Sequence, residues 1–234
     1  MIRPRPKKKL TKREIKQDKL VTAYFKATDW LQANSRYVLY GVAGAAAVLL
    51  MILLVVRSHR VAEARAAVEL ARADLYVDGG RYEEAVGVLE TIVEKYGGTS
   101  AARMALLDLA DMYYRMGEFD LAVKYFDRYV KKHAGYDPLL TASALAGKAA
   151  CLEGKGDYEG AAQLYVKAYE KAPKGFNAPE YLVQAAVCLE RSGKLNQAKD
   201  LCQKVLDQFP KSTVRRDAET VLARIQVKQA RASG

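Results

Sequence analysis

The hydrophobic positions of the chain fall into two patterns, one continuous and one periodic. The continuous pattern is a run of 20 residues at 37–56 that contains no charged residue, Asn or Gln. At about 1.5 Å rise per residue, a helix of this length matches the roughly 30 Å hydrocarbon core of a membrane. Arg36 and Arg57 close its ends, and Trp30 and Tyr40 lie where interfacial aromatic residues are common. We predict a transmembrane helix.

Two other structures produce a similar run. A helix buried in a globular protein is rarely apolar all round for this length. A cleaved signal peptide has an apolar core of roughly 7 to 15 residues after a short basic segment, whereas 36 residues precede this run. We therefore predict an uncleaved signal anchor. Because residues 45–78 contain neither Gly nor Pro, we expect the helix to continue through a connector at 57–65 into the next domain.

Residues 1–36 form a basic tail with 11 Lys and Arg against three Asp and Glu. Thr11 and Glu14 match a capping box at the start of a helix. Apolar positions near one face of that helix predict an amphipathic segment at the membrane surface, where the tail cations attract anionic lipid headgroups. A specific protein partner for this face is the alternative. The apolar positions are Ile15, Val21, Tyr24, Phe25, Thr28 and Leu31.

The periodic pattern follows the apolar run and repeats four times, at spacings of 37, 39 and 37 residues. Each copy has a Gly followed five positions later by an Ala, and a second Ala stands 12 positions before the first. Paired antiparallel helices explain this pattern, because the Gly can end one helix in a left-handed conformation and the two alanines let the helices approach closely. The glycines are Gly80, Gly117, Gly156 and Gly193, and the alanine pairs are Ala73 with Ala85, Ala110 with Ala122, Ala149 with Ala161 and Ala186 with Ala198.

This spacing resembles the tetratricopeptide repeat (TPR), in four copies over residues 66–212. The resemblance implies an all-α solenoid of helix pairs, and residues 213–234 supply a charged helix suited to capping it. Pro173 and Pro210 are expected to end the third and fourth pairs. The Trp that usually stands near the start of the repeat is missing from all four copies.

The net charge of +11 comes mostly from the tail. The domain after the span is close to neutral and has no base-reading or stacking motif, so no nucleic-acid partner is expected. A short, strongly basic tail resists crossing a membrane, whereas a long domain crosses largely regardless of its charge. We therefore expect residues 1–36 in the cytoplasm and residues 57–234 outside it.

The order of basic tail, single span and exported TPR domain resembles the YfgM family, the ancillary subunit of the SecYEG translocon in bacterial inner membranes. Residues 19–42 and 58–71 are similar to the segments that flank the span in that family. The resemblance implies a periplasmic domain that handles newly translocated envelope proteins. Its implied partners are the translocon and exported client proteins.

No enzymatic activity is expected from the side chains available. The chain has two histidines, His59 and His133, and no phosphate-binding loop, dinucleotide fingerprint, zinc-protease motif or nucleophile elbow. We expect no metal, no cofactor and no small-molecule substrate. Cys151, Cys188 and Cys202 lack metal-binding spacing and occupy apolar repeat positions, so we expect them to be buried; pairing of two of them in an oxidising compartment is the alternative.

The TPR register implies a groove lined by the first helix of each pair. Repeats that clamp a C-terminal carboxylate carry Lys and Asn there, whereas this chain has Asp74 and Asp111. We predict that the groove binds segments that are apolar and positively charged; the alternative is a set of merely solvated polar positions. The predicted groove residues are Leu70, Asp74, Asp78, Leu107, Asp111, Tyr114, Arg115, Ala146, Glu153, Val183, Val187, Glu190 and Arg191.

Two functions agree with these features. One is a translocon-associated or chaperone-like protein that binds exported polypeptides, and the other is a static scaffold for a membrane complex. An organelle import receptor with its repeats in the cytosol is disfavoured because the carboxylate clamp is missing. The first function predicts transient and varied partners, and the second predicts one stoichiometric complex.

The orientation can be tested with a reporter enzyme. Alkaline phosphatase fused after Gly234 is expected to be active in a bacterial host, because the basic tail keeps the amino terminus in the cytoplasm. A cytoplasmic reporter at the same position should be inactive, and the opposite pair of results would show that the orientation is wrong.

Overall fold

The computed structural model describes the backbone of residues 12–233 and the side chains of residues 21–231. All regular elements in this range are α-helices, in agreement with the predicted all-α class. The chain divides into two compact units, one ending at Ser58 and one starting at His59. The helices are α1 (Lys12–Ala33), α2 (Ser35–Asp78), α3 (Tyr82–Lys95), α4 (Ser100–Arg115), α5 (Phe119–His133), α6 (Pro138–Gly154), α7 (Tyr158–Lys171), α8 (Ala178–Arg191), α9 (Leu195–Gln208) and α10 (Arg215–Ser233).

The first unit contains α1 and the amino-terminal part of α2. Among the described residues, α2 is the one helix that is long and apolar enough to cross a membrane, and none of its apolar stretch is buried. The large apolar side chains of α1 from Val21 onwards are also exposed, including Tyr24 and Phe25. The predicted capping box of Thr11 and Glu14, and the side chain of Ile15, lie outside the residues described.

Helix α2 runs without interruption for 44 residues. It passes through the predicted connector at 57–65 and ends at Asp78, after the first repeat has begun. The expected continuation of the helix is therefore confirmed. Its cause is local, because no Gly or Pro breaks the backbone hydrogen bonds between residues 45 and 78.

The second unit consists of four helix pairs followed by α10. Helix α4 packs on α5, α6 on α7, and α8 on α9. The carboxyl-terminal part of α2 shares the first apolar cluster with α3 and forms the remaining pair. The glycine between the members of each pair has a positive φ, from 68° at Gly80 to 83° at Gly156. At the third turn, the N–H of Gly156 donates to the carbonyl of Glu153 and the N–H of Asp157 donates to that of Leu152, which is a Schellman motif. The predicted glycine turns are confirmed.

The eight repeat alanines are buried in the helix pairs. Each of them is at most 1% exposed. The larger apolar residues pack beside them in two neighbouring clusters, one around the first two pairs and one around the last two. Burial of all eight alanines agrees with the predicted close approach of the paired helices.

Helix α10 closes the carboxyl-terminal end of the second unit. Ala218, Val221 and Ile225 are at most 2% exposed and join the apolar cluster of the last two pairs. The helices before Pro173 and Pro210 end at Lys171 and Gln208, as predicted. The capping role expected for the last helix is therefore confirmed.

The three cysteines are free and fully buried. Burial raises the pKa of the Cys151 and Cys202 thiols to about 11 and that of Cys188 to about 12. A thiol with such a pKa is protonated at neutral pH and reacts slowly with oxidants or alkylating reagents. The expectation that they act as small buried hydrophobic residues is confirmed.

A larger side chain at a repeat alanine should destabilise the second unit. Ala122→Leu is expected to lower the free energy of unfolding by about 1 to 3 kcal/mol, because the added atoms overpack the contact between α4 and α5. Thermal unfolding of the full chain in detergent, followed by helical circular dichroism, measures this. Ala223→Leu on the exposed face of α10 is the control; equal midpoints for the two variants would mean that Ala122 is not at a tight helix contact.

Candidate protein-binding groove

The predicted groove residues lie on the first helices of the pairs, here called the helix-A face: α2 from residue 66, α4, α6 and α8. On α2 and α4 the side chains reach solvent. Asp74, Asp78 and Arg115 are exposed, Tyr114 is 38% exposed, and Leu107 is half-buried. This amino-terminal part of the face is therefore accessible to a partner.

Three carboxylates crowd the accessible part of the face. Asp74 on α2 and Asp111 on α4 both act electrostatically on Asp108 of α4. Burial raises the pKa of Asp108 to about 6, and repulsion from Asp74 and Asp111 adds to the shift. Near neutral pH the ionised form of Asp108 is therefore opposed by burial and by repulsion from the other two carboxylates.

Sequence reasoning missed Asp108. It stands two positions before the repeat alanine Ala110 and was not assigned to the groove. Its three-residue spacing from Asp111 is the signal that could have found it, because residues at i and i+3 share a helix face. Asp74 acts on Asp108 from a different helix, and local spacing does not reveal that interaction.

A nearby cation offsets part of the charge of this cluster. Arg115 donates to Asp111 with an Nε–Oδ2 distance of 2.7 Å. Both side chains are about half exposed, and an exposed pair of this kind contributes only about 0 to 1 kcal/mol to stability. The ion pair between Arg115 and Asp111 is therefore easily broken.

The predicted groove residues Glu153 and Arg191 are brought together by neighbouring first helices. Arg191 on α8 donates to Glu153 on α6 with an Nη1–Oε1 distance of 2.8 Å. The Arg191 guanidinium also lies 5.4 Å from the centre of the Tyr158 ring. Ala146, also on α6, is half-buried against the core. The carboxylate of Glu153 is consequently engaged within the chain.

Glu190 was predicted to line the groove, but its carboxylate is not open to solvent. It is only 5% exposed and accepts hydrogen bonds from Arg224, at 2.6 Å, and Lys228, at 2.9 Å, both on α10. Burial alone would raise the pKa of Glu190, but the hydrogen bonds from these two cations outweigh it and lower the pKa. In the last repeat α10 occupies the side where a further repeat would pack, so Glu190 holds the cap in place.

The valines of α8 also differ from the prediction of an apolar groove lining. Val183 is 4% exposed and belongs to the core, and Val187 packs half-buried against it. The predicted groove thus divides into an accessible part on α2 and α4 and a part near α10 whose side chains are already engaged. Within the residues described, no group of three or more His, Cys, Asp or Glu is placed to hold a metal ion.

Comparisons with known proteins agree on the repeats. Family models described as tetratricopeptide repeat match residues 70–137, 107–176 and 152–225. A search of curated protein sequences finds no significant match.

Solved structures with a similar fold are distant in sequence. A putative kinesin light chain of Podosopora anserina with nearly identical TPR-like repeats is 19% identical, with a TM-score of 0.60, and the match covers 73% of this chain and 90% of that one. A tetratricopeptide repeat protein from Parabacteroides merdae is 17% identical, with a TM-score of 0.58 over 70% of this chain and 60% of that one. The apo form of RapI is 15% identical, with a TM-score of 0.62, and the match covers 71% of this chain and 65% of that one. These similarities establish the fold.

Tetratricopeptide repeats are typically non-catalytic modules that bind other proteins. The family models together cover residues 70–225, which is most of the second unit. The four glycine turns and the buried alanine pairs give the structural basis of that match. The chain belongs to the tetratricopeptide repeat family.

Proposed function

We propose that this protein is anchored in the bacterial inner membrane by one helix and binds segments of newly exported polypeptides on its helix-A face. The binding domain lies in the periplasm beside the protein translocon. The resemblance of the tail, span and repeats to the YfgM family supports this assignment. The remaining support comes from the exposure of the apolar helix and from the charge of the helix-A face.

The exposure of the apolar run supports a membrane anchor. Most of its large side chains are exposed, with exposed fractions between 44% for Val56 and 77% for Tyr37, and Val38 is half-buried. The core helix of a soluble protein would be buried, whereas this surface has no protein neighbour in the described chain. Transfer of apolar surface from water into lipid is favourable by about 25 cal/mol per Å², so a membrane is the environment that this segment fits best.

The single observation that carries the proposed binding function is the group of Asp74, Asp108 and Asp111. The high pKa of Asp108 reports that burial and like charges oppose its ionised form in the free protein. A positively charged ligand would relieve this repulsion on binding. Leu70 and Leu107 are half-buried on the same helices and leave apolar surface beside the carboxylates.

This arrangement favours ligands that are both apolar and basic. Contacts with exposed carboxylates are weak individually and are screened over about 8 Å at physiological ionic strength. Binding of this kind tolerates varied sequences and allows fast release. Both properties suit a protein that meets many different exported chains.

Charge reversal on the helix-A face tests the binding site. Asp74→Lys combined with Asp111→Lys is expected to reduce crosslinks to exported polypeptides in intact membranes, because the face would then repel basic segments. The captured partners are identified and quantified by mass spectrometry. Raising the salt concentration should weaken the wild-type crosslinks in the same direction.

The matched control reverses two exposed carboxylates on second helices, Glu170→Lys with Asp200→Lys, which changes the net charge by the same amount. If the groove variant captures the same partners in the same amounts as the control, the helix-A face is not the binding surface. A single stoichiometric partner in every variant would instead support the scaffold function.

The pKa of Asp108 predicts a pH dependence of stability. Its folded-state pKa of about 6 lies above the ordinary value of 3.8, so the folded state binds the proton more tightly than the unfolded state does. Stability should therefore increase as the pH falls through 6 towards 4, by about 1 to 3 kcal/mol for this group. Asp108→Asn should remove that gain and be more stable than the wild type at pH 7.5.

Thermal unfolding of the full chain in a non-ionic detergent, measured between about pH 4 and pH 7.5, compares the two proteins. The difference between their midpoints is expected to shrink as the pH falls. If the midpoints of the two proteins changed in parallel with pH, the pKa of Asp108 would not be raised in the folded state.

A further inference from the structure

The two edges of the second unit differ in their exposed side chains and in their charge. The interrepeat rim consists of the loops that join one helix pair to the next helix: residues 96–99, 134–137, 172–177 and 209–214. The intrarepeat rim consists of the four glycine turns at the other helix ends. The interrepeat rim has features of a surface that contacts lipid.

Side-chain contacts join the four loops into one continuous edge. His59 hydrogen-bonds the carbonyl of Gly98 in the first loop at 3.2 Å. The Arg103 guanidinium lies 4.6 Å from the centre of the Tyr136 ring in the second loop. Gly175 in the third loop packs so closely on Leu139 that a Cβ there would lie 2.8 Å from Leu139 Cδ2. Residues 174–177, 179–180 and 208–214 line a shared cleft between the third and fourth loops.

Large apolar side chains project from this edge into solvent. Phe176 is 93% exposed, Tyr136 is 70% exposed and Leu139 is 55% exposed. The loop that carries Phe176 has a defined conformation, because the N–H of Gly175 donates to the carbonyl of Ala172 and the N–H of Ala178 donates to that of Gly175. Phe176 is thus held outwards, where it has no protein partner among the described residues.

The charge of the interrepeat rim is suited to an anionic surface. With one helical turn on either side, its four loops contain nine Lys and Arg against six Asp and Glu, whereas the intrarepeat rim contains five against nine. Lys174 and Lys211 lie in the same loops as Phe176 and the neighbouring Phe209, and neither forms an ion pair with a described residue. Aromatic side chains next to unpaired lysines are typical of contacts with a membrane interface.

The connection between the apolar run and the first loop of the rim is short. The apolar run ends at Val56, and His59, three residues later, already contacts the first loop of the rim. Three residues of chain extend at most about 10 Å. This step rests on the proposed membrane anchor.

We infer that the interrepeat rim docks on the anionic phospholipid surface of the membrane that anchors the chain. Phe176 and Tyr136 enter the headgroup region, and Lys174 and Lys211 contact lipid phosphates. The exposed aromatic residues, the excess of positive charge and the short connection to the apolar run favour a lipid surface over a peptide in the neighbouring cleft.

Fluorescence quenching in lipid nanodiscs tests this docking. The full chain carrying Phe176→Cys is labelled with bimane and reconstituted in discs of phosphatidylglycerol and phosphatidylcholine that contain a nitroxide-labelled lipid. The three native cysteines are fully buried and stay unlabelled in the folded protein. Glu118→Cys, an exposed position on the intrarepeat rim, is the matched control. Quenching at position 176 is expected to exceed that at position 118 by about twofold or more.

A second comparison tests the charge. Lys174→Glu with Lys211→Glu should roughly halve the quenching at position 176, as should discs without phosphatidylglycerol. Lys199→Glu with Lys167→Glu, exposed on second helices, should leave it unchanged. Equal quenching at positions 176 and 118 would overturn the inference, and a label at 176 that responds to added peptide but not to lipid would assign the cleft to a peptide instead.

The experiment distinguishes a wrong membrane anchor from a wrong docking surface. A chain that co-elutes with the discs but shows no preferential quenching at position 176 retains the anchor and contradicts the docking. A chain that does not co-elute contradicts the anchor, and the labelled protein is then mixed with vesicles of the same lipids. Quenching at 176 in those vesicles supports the rim, and its absence overturns it.

Discussion

The close contact between paired helices is the constraint on which the second unit depends. It requires a small side chain on both helices at one level, and the eight repeat alanines supply it with at most 1% exposure. Because the helices approach at these points, the glycine turn between them must be short, and a positive φ at Gly80, Gly117, Gly156 and Gly193 makes it so. The larger apolar residues then pack beside the alanines in two clusters along the successive pairs.

A stack of helix pairs has two ends, and the apolar core must be covered differently at each. At the carboxyl-terminal end, α10 covers the core, and Glu190 binds Arg224 and Lys228 across the contact. A buried carboxylate without these cations would be costly, so the pairing favours one position of the cap. At the other end α2 continues into the apolar run, and its carboxylates Asp74 and Asp78 stay exposed to solvent.

Equivalent positions acquire different roles because the neighbours differ between repeats. Gly147, in the interior of α6, illustrates the effect in packing: a Cβ there would lie 2.3 Å from the Phe126 ring of α5. The glycine weakens the helix locally but admits the ring of the preceding repeat. Asp108 illustrates the same effect in electrostatics, since its pKa depends on burial and on Asp74 of another helix.

The sequence by itself determined the features that arise within one helix or one turn. The helix pairs, the four glycine turns, the final capping helix and the unbroken α2 follow from spacing and propensity, and all are found in the structure. Only the tertiary structure decided that Glu190 and Val183 are buried and that Asp108 joins Asp74. The physical reason is that burial and electrostatic energy depend on distances through space between helices. Repeat spacing assigns a residue to a helix face, whereas the packed neighbour determines whether that face meets solvent, a cation or another carboxylate.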